Sequence, residues 1–356
     1  MPRVTVTMMI YNAARYLRQS IESVLAQTFT DFEFLLYDDA STDASAAIIQ
    51  TYADPRMRLV QNTTNHGVAW SRQHALKLAR GEYVAVLDAD DLARPDRLQT
   101  QVAYLDQHPA ISAVGSAYAV IDANGRAQFT LHAPTDPLTI RWKLLFGNCI
   151  GHSTVMLRRA FALAQGGYDA SVFAGEDYDL WVRLATQGQM AQLAAPLTQW
   201  RWHAASLQST EPLAVKDHFI WTMIKCIRAQ TGLTVDFDVA RVLYRGPTPP
   251  AANRALAERA LATVVACLDQ FLASPALITT ERNQLRTLAL EDIFLVALRN
   301  PGTLPAAWRA ARRAQGNAGL SVLNRRILRR AGMALLPAWA RRYVTRLAET
   351  QTERAA

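Results

Sequence analysis

Three carboxylates, in Asp88-Ala89-Asp90-Asp91, follow directly on the apolar run Tyr83-Val84-Ala85-Val86-Leu87. A short Val-rich run that stops abruptly at charge has the pattern of a buried parallel strand. In an open α/β sheet, ligands gather at the carboxyl ends of the strands. If the segment stays extended, Asp88 and Asp90 alternate onto one side and bring two carboxylates to a single hard cation such as Mg²⁺ or Mn²⁺. An ordinary polar turn closing a strand is the competing reading. Two more core-strand patterns end in polar residues: Val4–Ile10 runs into Tyr11-Asn12, and Phe32–Tyr37 into Asp38-Asp39. The Gly-x-Gly-x-x-Gly of a dinucleotide-binding turn and the Gly-x-x-x-x-Gly-Lys-Ser/Thr of a P-loop are both missing. Polar side chains at strand ends suit reading a base and ribose, which points to a nucleotide donor held by side chains and metal.

The elements that must position these groups alternate. Asn12 is expected to cap a helix whose apolar positions Tyr16, Leu17, Ile21, Val24 and Leu25 recur at helical spacing, ending near Gln27-Thr28. Ser41 or Thr42 is expected to cap a second helix through Ile48, Ile49 and Tyr52. Met57–Val60 reads as a third strand, Gly67 opens a helix through Leu76 and Ala79, and Gly81 ends it before the Tyr83 strand. This alternation implies a parallel, doubly wound sheet. Further on, Ala113–Ile121 and Ser153–Leu157 read as strands, with Asp122-Ala123-Asn124-Gly125 as a turn. Leu138–Phe146, Val215–Ala229, Arg254–Leu272 and Thr280–Arg299 read as helices, with Gly246-Pro247-Thr248-Pro249-Pro250 as a linker.

A chain of 356 residues, half of them apolar and 19% charged, has an ordinary globular balance and room for one large domain plus an appendage. Cys149, Cys226 and Cys267 lie far apart, which suggests neither a disulfide framework nor a zinc site and fits a reducing compartment. Met1-Pro2-Arg3-Val4 leads straight into a strand pattern without a signal-peptide core, and no run is apolar enough to span a bilayer, so a cytoplasmic location is expected. The net charge of +8 is concentrated in residues 301–356, which hold 11 Arg, no Lys and 2 Glu. There Arg325, Arg326, Arg329 and Arg330 surround Ile327 and Leu328 at helical spacing, followed by Ala331–Trp339 and Arg341-Arg342. Such a basic amphipathic tail is expected to dock on an anionic membrane surface, placing the chain at the inner face of the membrane. A solvated helical face or a general polyanion patch would look the same; no nucleic-acid partner is expected.

One ordered set of motifs is specific. Tyr11-Asn12, Gln27-Thr28-Phe29, Asp38 to Asp43, Gly67 with Arg72, and Gly81-Glu82-Tyr83 leading to Asp88-Ala89-Asp90-Asp91 closely resemble the family 2 glycosyltransferases. The resemblance covers about residues 3–208. It implies a GT-A type α/β fold, a doubly wound, mostly parallel sheet followed by a helical C-terminal region. The implied division is a catalytic domain at 1–208 (nucleotide-sugar half to about 110, acceptor half from 111), a helical extension at 209–300 and a basic tail at 301–356. The resemblance further implies that Tyr11, Asn12 and Asp39 contact the nucleotide, with Asp39 on uracil or another base. Arg72 would lie near base or diphosphate, and Asp88 and Asp90 would handle the ribose and a diphosphate bridged by Mn²⁺ or Mg²⁺. A UDP-sugar is the favoured donor. Met9, Gln73 and Ala75 depart from the family's usual Pro, Asn and Gly, which bears on donor identity more than on reaction type. Gly175-Glu176-Asp177-Tyr178-Asp179-Leu180-Trp181 resembles the acceptor-side acidic segment, and Arg201-Trp202-His203 with Ser206 resembles the closing motif whose His lies near metal or diphosphate. Trp181, Trp200 and Trp202 either stack on a sugar or pack in the core.

The implied reaction is an inverting transfer of a sugar from a nucleoside diphosphate to a hydroxyl of a glycan or lipid-linked glycan, as in polysaccharide or glycolipid synthesis. Asp177 is the candidate base, because on a helix starting at Glu176 it shares a face with Leu180, Trp181 and Leu184, the stripe that turns inward. Asp179 lies about 200° around that helix and four residues before Arg183, its expected partner. Glu176 would bind an acceptor hydroxyl or support its neighbour. A glycoside hydrolase also uses paired carboxylates but has no need of Asp38-Asp39 and Arg72. A non-catalytic sugar-nucleotide or polyanion binding module would leave Asp177 unused.

Overall fold

The computed structural model describes residues 1–172, 174–203, 213–244 and 253–315, and the chain forms two compact units, Met1–Gln230 and Thr231–Ala356. In the first unit β1 (Val4–Ile10) is buried on both faces, as its near-continuous apolar run requires. Its buried Thr5 is tolerated because it is bonded: the hydroxyl donates to Glu33 at 2.7 Å. β2 (Phe32–Asp38) and β4 (Tyr83–Val86) flank β1 in parallel, with Val4 opposite Phe32 on one side and Tyr83 on the other. Tyr11, Asp38 and Asp88 therefore emerge at one edge. β3 (Met57–Gln61) continues the sheet beyond β2. The strand order reverses between β1 and β4, the kind of switch point where ligands of open α/β sheets bind.

The far half of the sheet is mixed. β8 (Met156–Arg158) runs antiparallel to β4, and β6 (Ile111–Ile121) antiparallel to β8. β9 (Gln189–Arg201) lies parallel to β6, β5 (Leu92–Ala93) antiparallel to β9, and β7 (Ala127–Leu131) forms a hairpin with β6. The strand expected at Ser153–Leu157 is instead a 3₁₀ turn, His152–Thr154, followed by β8. The Thr154 carbonyl is taken by the side chain of Gln101, and the Val155 carbonyl accepts both from Arg97 and from the backbone N–H of Val86 in β4.

Helices α1 (Ala14–Leu25), α2 (Ser45–Gln50), α3 (Val68–Leu78), α4 (Arg97–Gln107), α5 (Pro137–Lys143), α6 (Arg159–Ala164), α7 (Glu176–Gln187) and α8 (Leu213–Thr231) complete this unit. Asn12 does not cap α1, nor do Ser41 and Thr42 cap α2, because these residues bind one another across the two loops, as described below. The second unit contains α9 (Phe237–Leu243), α10 (Arg254–Leu272), α11 (Thr279–Arg299) and α12 (Leu304–Gln315). Leu261, Val264 and Leu268 of α10 and Leu285, Ala289 and Ile293 of α11 are buried. Among the described residues no helix is long and apolar enough to cross a membrane. The expected linker at 246–250, Ser206 and the arginines from 325 onward lie outside the described residues.

Gly81 carries the corner between α3 and β4 against the first strand. A Cβ there would lie 2.5 Å from the Thr5 backbone nitrogen and 2.7 Å from the Val4 carbonyl carbon. Neither backbone atom can move without shifting β1, and the Gly81 N–H donates to the Thr5 hydroxyl at 2.8 Å. Gly81→Ala is expected to cost about 1–3 kcal/mol, read as a fall of several degrees in Tm; an unchanged Tm would show that this corner is not tightly packed.

Candidate active site

The edge at the ends of β1, β2 and β4 collects the residues singled out by sequence. Asn12 sits at φ 52°, a left-handed conformation Asn tolerates better than most residues. Its carboxamide oxygen accepts from Thr42 N at 2.8 Å and Asp43 N at 3.3 Å, and its own N–H donates to Ser41 Oγ. Asn12 thus ties the β1 and β2 loops together. Tyr11 beside it is 53% exposed. Asp39 is buried and accepts from Asn62 Nδ2 at 2.7 Å and from the backbone N–H groups of His66 and Gly67, which fastens the loop leading into α3.

Asp88 and Asp90 are brought together differently from the extended alternation expected. β4 ends at Val86, and the chain turns, with Asp91 N donating to the Asp88 carbonyl at 3.2 Å. A tight turn, not an alternating strand, therefore sets these carboxylates. Asp88 Oδ1 accepts from Arg72 Nη2 at 2.9 Å and lies 3.3 Å from His152 Nδ1. Burial pushes the Asp88 carboxyl up, but His152 and Arg72 beside it outweigh this and hold it below the usual carboxylate range. Asp90 shows the opposite balance: burial and the neighbouring Asp88 raise it, against its 3.0 Å contact with His203 Nε2. Asp91 is fully buried, raised by burial and by Asp90, and accepts from Arg201 N at 2.8 Å.

Arg72, on α3, links the two sides. Its guanidinium grips Asp88 with one nitrogen and Glu176 of α7 with the other, and Glu176 is 5% exposed. Gly175 ends the preceding loop at φ 82°, and α7 begins with Glu176, Asp177 and Asp179 in its first turn, where acidic groups favour the helix dipole. Leu180, Trp181 and Leu184 are fully buried, so the expected inward stripe is present and Trp181 belongs to the core. Asp177 sits half-buried at its head. Its Oδ2 accepts from Asn148 Nδ2 at 3.0 Å and its Oδ1 from Tyr178 N at 2.7 Å. Burial, then the Glu176 charge, raise the Asp177 carboxyl above its ordinary value, against the opposing pull of His152 and Arg72.

Asp179 pairs with Arg183 at 2.6 Å, and Arg183 also donates to the carbonyls of Gln165 and Gly167. Asp179→Asn is accordingly expected to lower stability by about 1–3 kcal/mol while leaving the rate nearly unchanged, as measured by thermal unfolding beside turnover. A large rate loss at unchanged Tm would move Asp179 into the chemistry.

Three residues escaped sequence reading. His152 bridges Asp88 and the Tyr168 hydroxyl, 3.0 Å from its Nε2. A carboxylate only accepts, so Nδ1 carries the hydrogen toward Asp88, and in the neutral ring Nε2 accepts from Tyr168. Arg97 is buried beneath the Asp88–Asp91 turn, donates to the carbonyls of Val86 and Val155, and is lowered by burial to about 10. These contacts join residues more than ten to sixty positions apart, and no local pattern announces them.

Among the described residues no group of three or more metal-binding side chains gathers closely enough to hold an ion alone. The residues nonetheless fit a cation shared with a substrate: Mg²⁺ is commonly held by one or two carboxylates together with phosphate oxygens. Asp88 and Asp90 are each about one-third exposed, and the mutual repulsion that raises Asp90 is what a cation relieves.

Asp88, Arg72 and Glu176 thus meet at the switch point of the sheet. Residues 5–163 match the model described as Glycosyl transferase family 2. The chain is 38% identical over 193 residues to the putative glycosyltransferase EpsE of Bacillus subtilis, covering 52% of this chain and 68% of that protein. It is 30% identical over 244 residues to the UDP-Glc:alpha-D-GlcNAc-diphosphoundecaprenol beta-1,3-glucosyltransferase WfgD of Escherichia coli, covering 68% and 90%. The fold matches the crystal structure of S. aureus TarS 1–349 in complex with UDP-GlcNAc, with a TM-score of 0.57 at 17% identity over 88% of this chain and 90% of that one. The chain belongs to glycosyl transferase family 2.

Proposed function

We propose that the chain transfers a sugar with inversion from a nucleoside diphosphate, UDP favoured, to a hydroxyl of a glycan or lipid-linked glycan, in polysaccharide or glycolipid synthesis. The observation that carries this reading is Arg72, which ties Asp88 on the donor side to Glu176 beside Asp177 on the acceptor side. Tyr11, Asn12 and Asp39 form the nucleotide end, with Asn12 and Asp39 holding the loops that frame the base. Asp177 takes the proton from the acceptor hydroxyl; its raised carboxyl is a better base than an ordinary aspartate, and Asn148 holds its orientation. Glu176 keeps Arg72 in place. Asp88, Asp90 and His203 would hold Mn²⁺ or Mg²⁺. When bound, such a cation offsets the charge that develops on the leaving diphosphate.

The WfgD relative is named for a UDP-sugar donor and a diphosphate-lipid acceptor, which supports the choice of substrates. A thermal-shift panel of UDP-, GDP- and CMP-sugars with Mn²⁺ tests the donor, because a ligand stabilises the fold according to its binding. A UDP-sugar is expected to raise Tm most; a clear preference for another base would overturn the donor assignment.

On this reading residues 1–208 carry the chemistry, residues 209–300 extend it with helices, and the basic residues from 301 onward dock the chain at the cytoplasmic face of an anionic membrane. Full-length protein is expected to co-sediment with phosphatidylglycerol vesicles, and a chain ending near Asn300 to remain in solution. Equal sedimentation of both would remove the tail as anchor.

A further inference from the structure

A strip of aromatic side chains runs away from the corner that holds Asp177, and the mechanism above makes no use of it. In the β7–β6–β9 ladder Leu131 faces Tyr118, and Phe129 faces Val120, which faces Trp200. Cross-strand partners share a face of the sheet, and Trp202 lies two residues beyond Trp200 on the same face. The pairing continues there, because Trp202 N donates to the Ile121 carbonyl at 2.8 Å. Tyr118 meets Trp200 edge-on at 6.2 Å, and Trp200 and Trp202 lie tilted at 5.8 Å. Burial does not account for its outer members: Phe129 is 50% exposed, Leu131 39% and Trp202 55%, while Tyr118 and Trp200 are half-buried and Val120 between them is covered. Arg201, between the two tryptophans, turns to the other face and donates to the Asp90 carbonyl and to Gln19.

The strip is continuous with the catalytic corner. A Cβ on Gly151 would lie 3.0 Å from Tyr118 Cε1, so the ring packs directly on the segment that carries His152 and, three residues earlier, Asn148, the partner of Asp177. At its other end, Trp202 precedes His203, which contacts Asp90. We infer that this strip, Tyr118, Phe129, Leu131, Trp200 and Trp202, is an acceptor subsite that binds the sugar rings of a growing glycan behind the ring attacked at Asp177; this rests on the transferase reading above. Two strand spacings give it a width of about 10 Å, enough for two pyranose rings. Four of the five side chains are aromatic, and Tyr118, Trp200 and Trp202 carry polar edges. Flat rings with a polar rim match a pyranose, whose C–H face meets the ring face and whose hydroxyls meet the edge. An acyl or isoprenoid chain offers no hydrogen-bonding partner for those edges.

The test uses the full-length chain and β-linked disaccharides of glucose, galactose and N-acetylglucosamine as probes, followed by tryptophan fluorescence and saturation-transfer NMR. At least one disaccharide is expected to bind saturably. Trp202→Ala and, separately, Phe129→Ala are expected to weaken it by about tenfold or more, with Tm and the affinity for UDP unchanged. Because Trp202 and Phe129 are exposed, both variants are expected to fold. No saturable binding by any of the three, or binding indifferent to both substitutions, would overturn the inference. So would fluorescence changes that depend on Trp202 but arise only with phosphatidylglycerol vesicles, which would make the strip a membrane contact. The transferase reading fails separately, if no nucleotide sugar is turned over, and the disaccharide titration decides the strip in either case.

Discussion

The Asp177→Asn protein should fold and bind donor as the native chain does, yet transfer sugar about 10² times more slowly or worse, the usual scale for losing a general base. The amide oxygen of Asn can still accept the Tyr178 N–H, so the start of α7 keeps its bond, but an amide takes up no proton at neutral pH. The same carboxyl gives a pH signature. Burial and Glu176 raise it, so protonation begins at a higher pH than for an ordinary aspartate, with its value near 3.8. The base works only when deprotonated, and transfer with saturating donor should therefore fall on acidification already above that pH. Near-normal transfer by Asp177→Asn would move the base elsewhere, and Glu176 is poorly suited to replace it because its carboxylate is committed to Arg72.

The second large effect is expected from Asp90→Ala. Turnover should fall by about 10³ or more, as when charge stabilisation at a leaving group is removed, and donor binding should lose its dependence on Mn²⁺ or Mg²⁺. Asp90 makes its side-chain contact with His203 and is about one-third exposed, so the fold should survive its loss. Asp88→Ala is a different experiment, because it strips both Arg72 and His152 of a partner. That variant should weaken nucleotide binding more broadly and lower stability, since the buried Arg72 guanidinium would keep only Glu176 of its two carboxylate partners. Titration calorimetry of UDP with and without Mn²⁺ separates the two. Metal-stimulated activity in Asp90→Ala at the native level would remove Asp90 from the site.

Much of this architecture was legible in the chain. Strands β1, β2 and β4 announce themselves by apolar runs, and their polar ends point to the edge where the site forms. The helical arrangement from Glu176 correctly separates the buried stripe of Leu180, Trp181 and Leu184 from the Asp179–Arg183 pair, because both follow from the 3.6-residue repeat. Reading stopped where the partner is distant. Asn12 and Ser41 have the composition of helix caps, but each finds a better partner in the other's loop. The turn at Asp88–Asp91 could not be told from an extended end, since Asp is common in both. The antiparallel insertion of β8 between β4 and β6 depends on long connections, and the roles of His152, Tyr168 and Arg97 depend on it in turn.

The most direct test of transfer is to incubate the protein with a UDP-sugar and Mn²⁺, with and without a glycan acceptor, and to follow both UDP release and the anomeric proton of the product by NMR. The account predicts acceptor-dependent release of UDP and a product whose anomeric configuration is opposite to that of the donor. Release of free sugar from a glycoside without any nucleotide, or a product that keeps the donor's configuration, would contradict it.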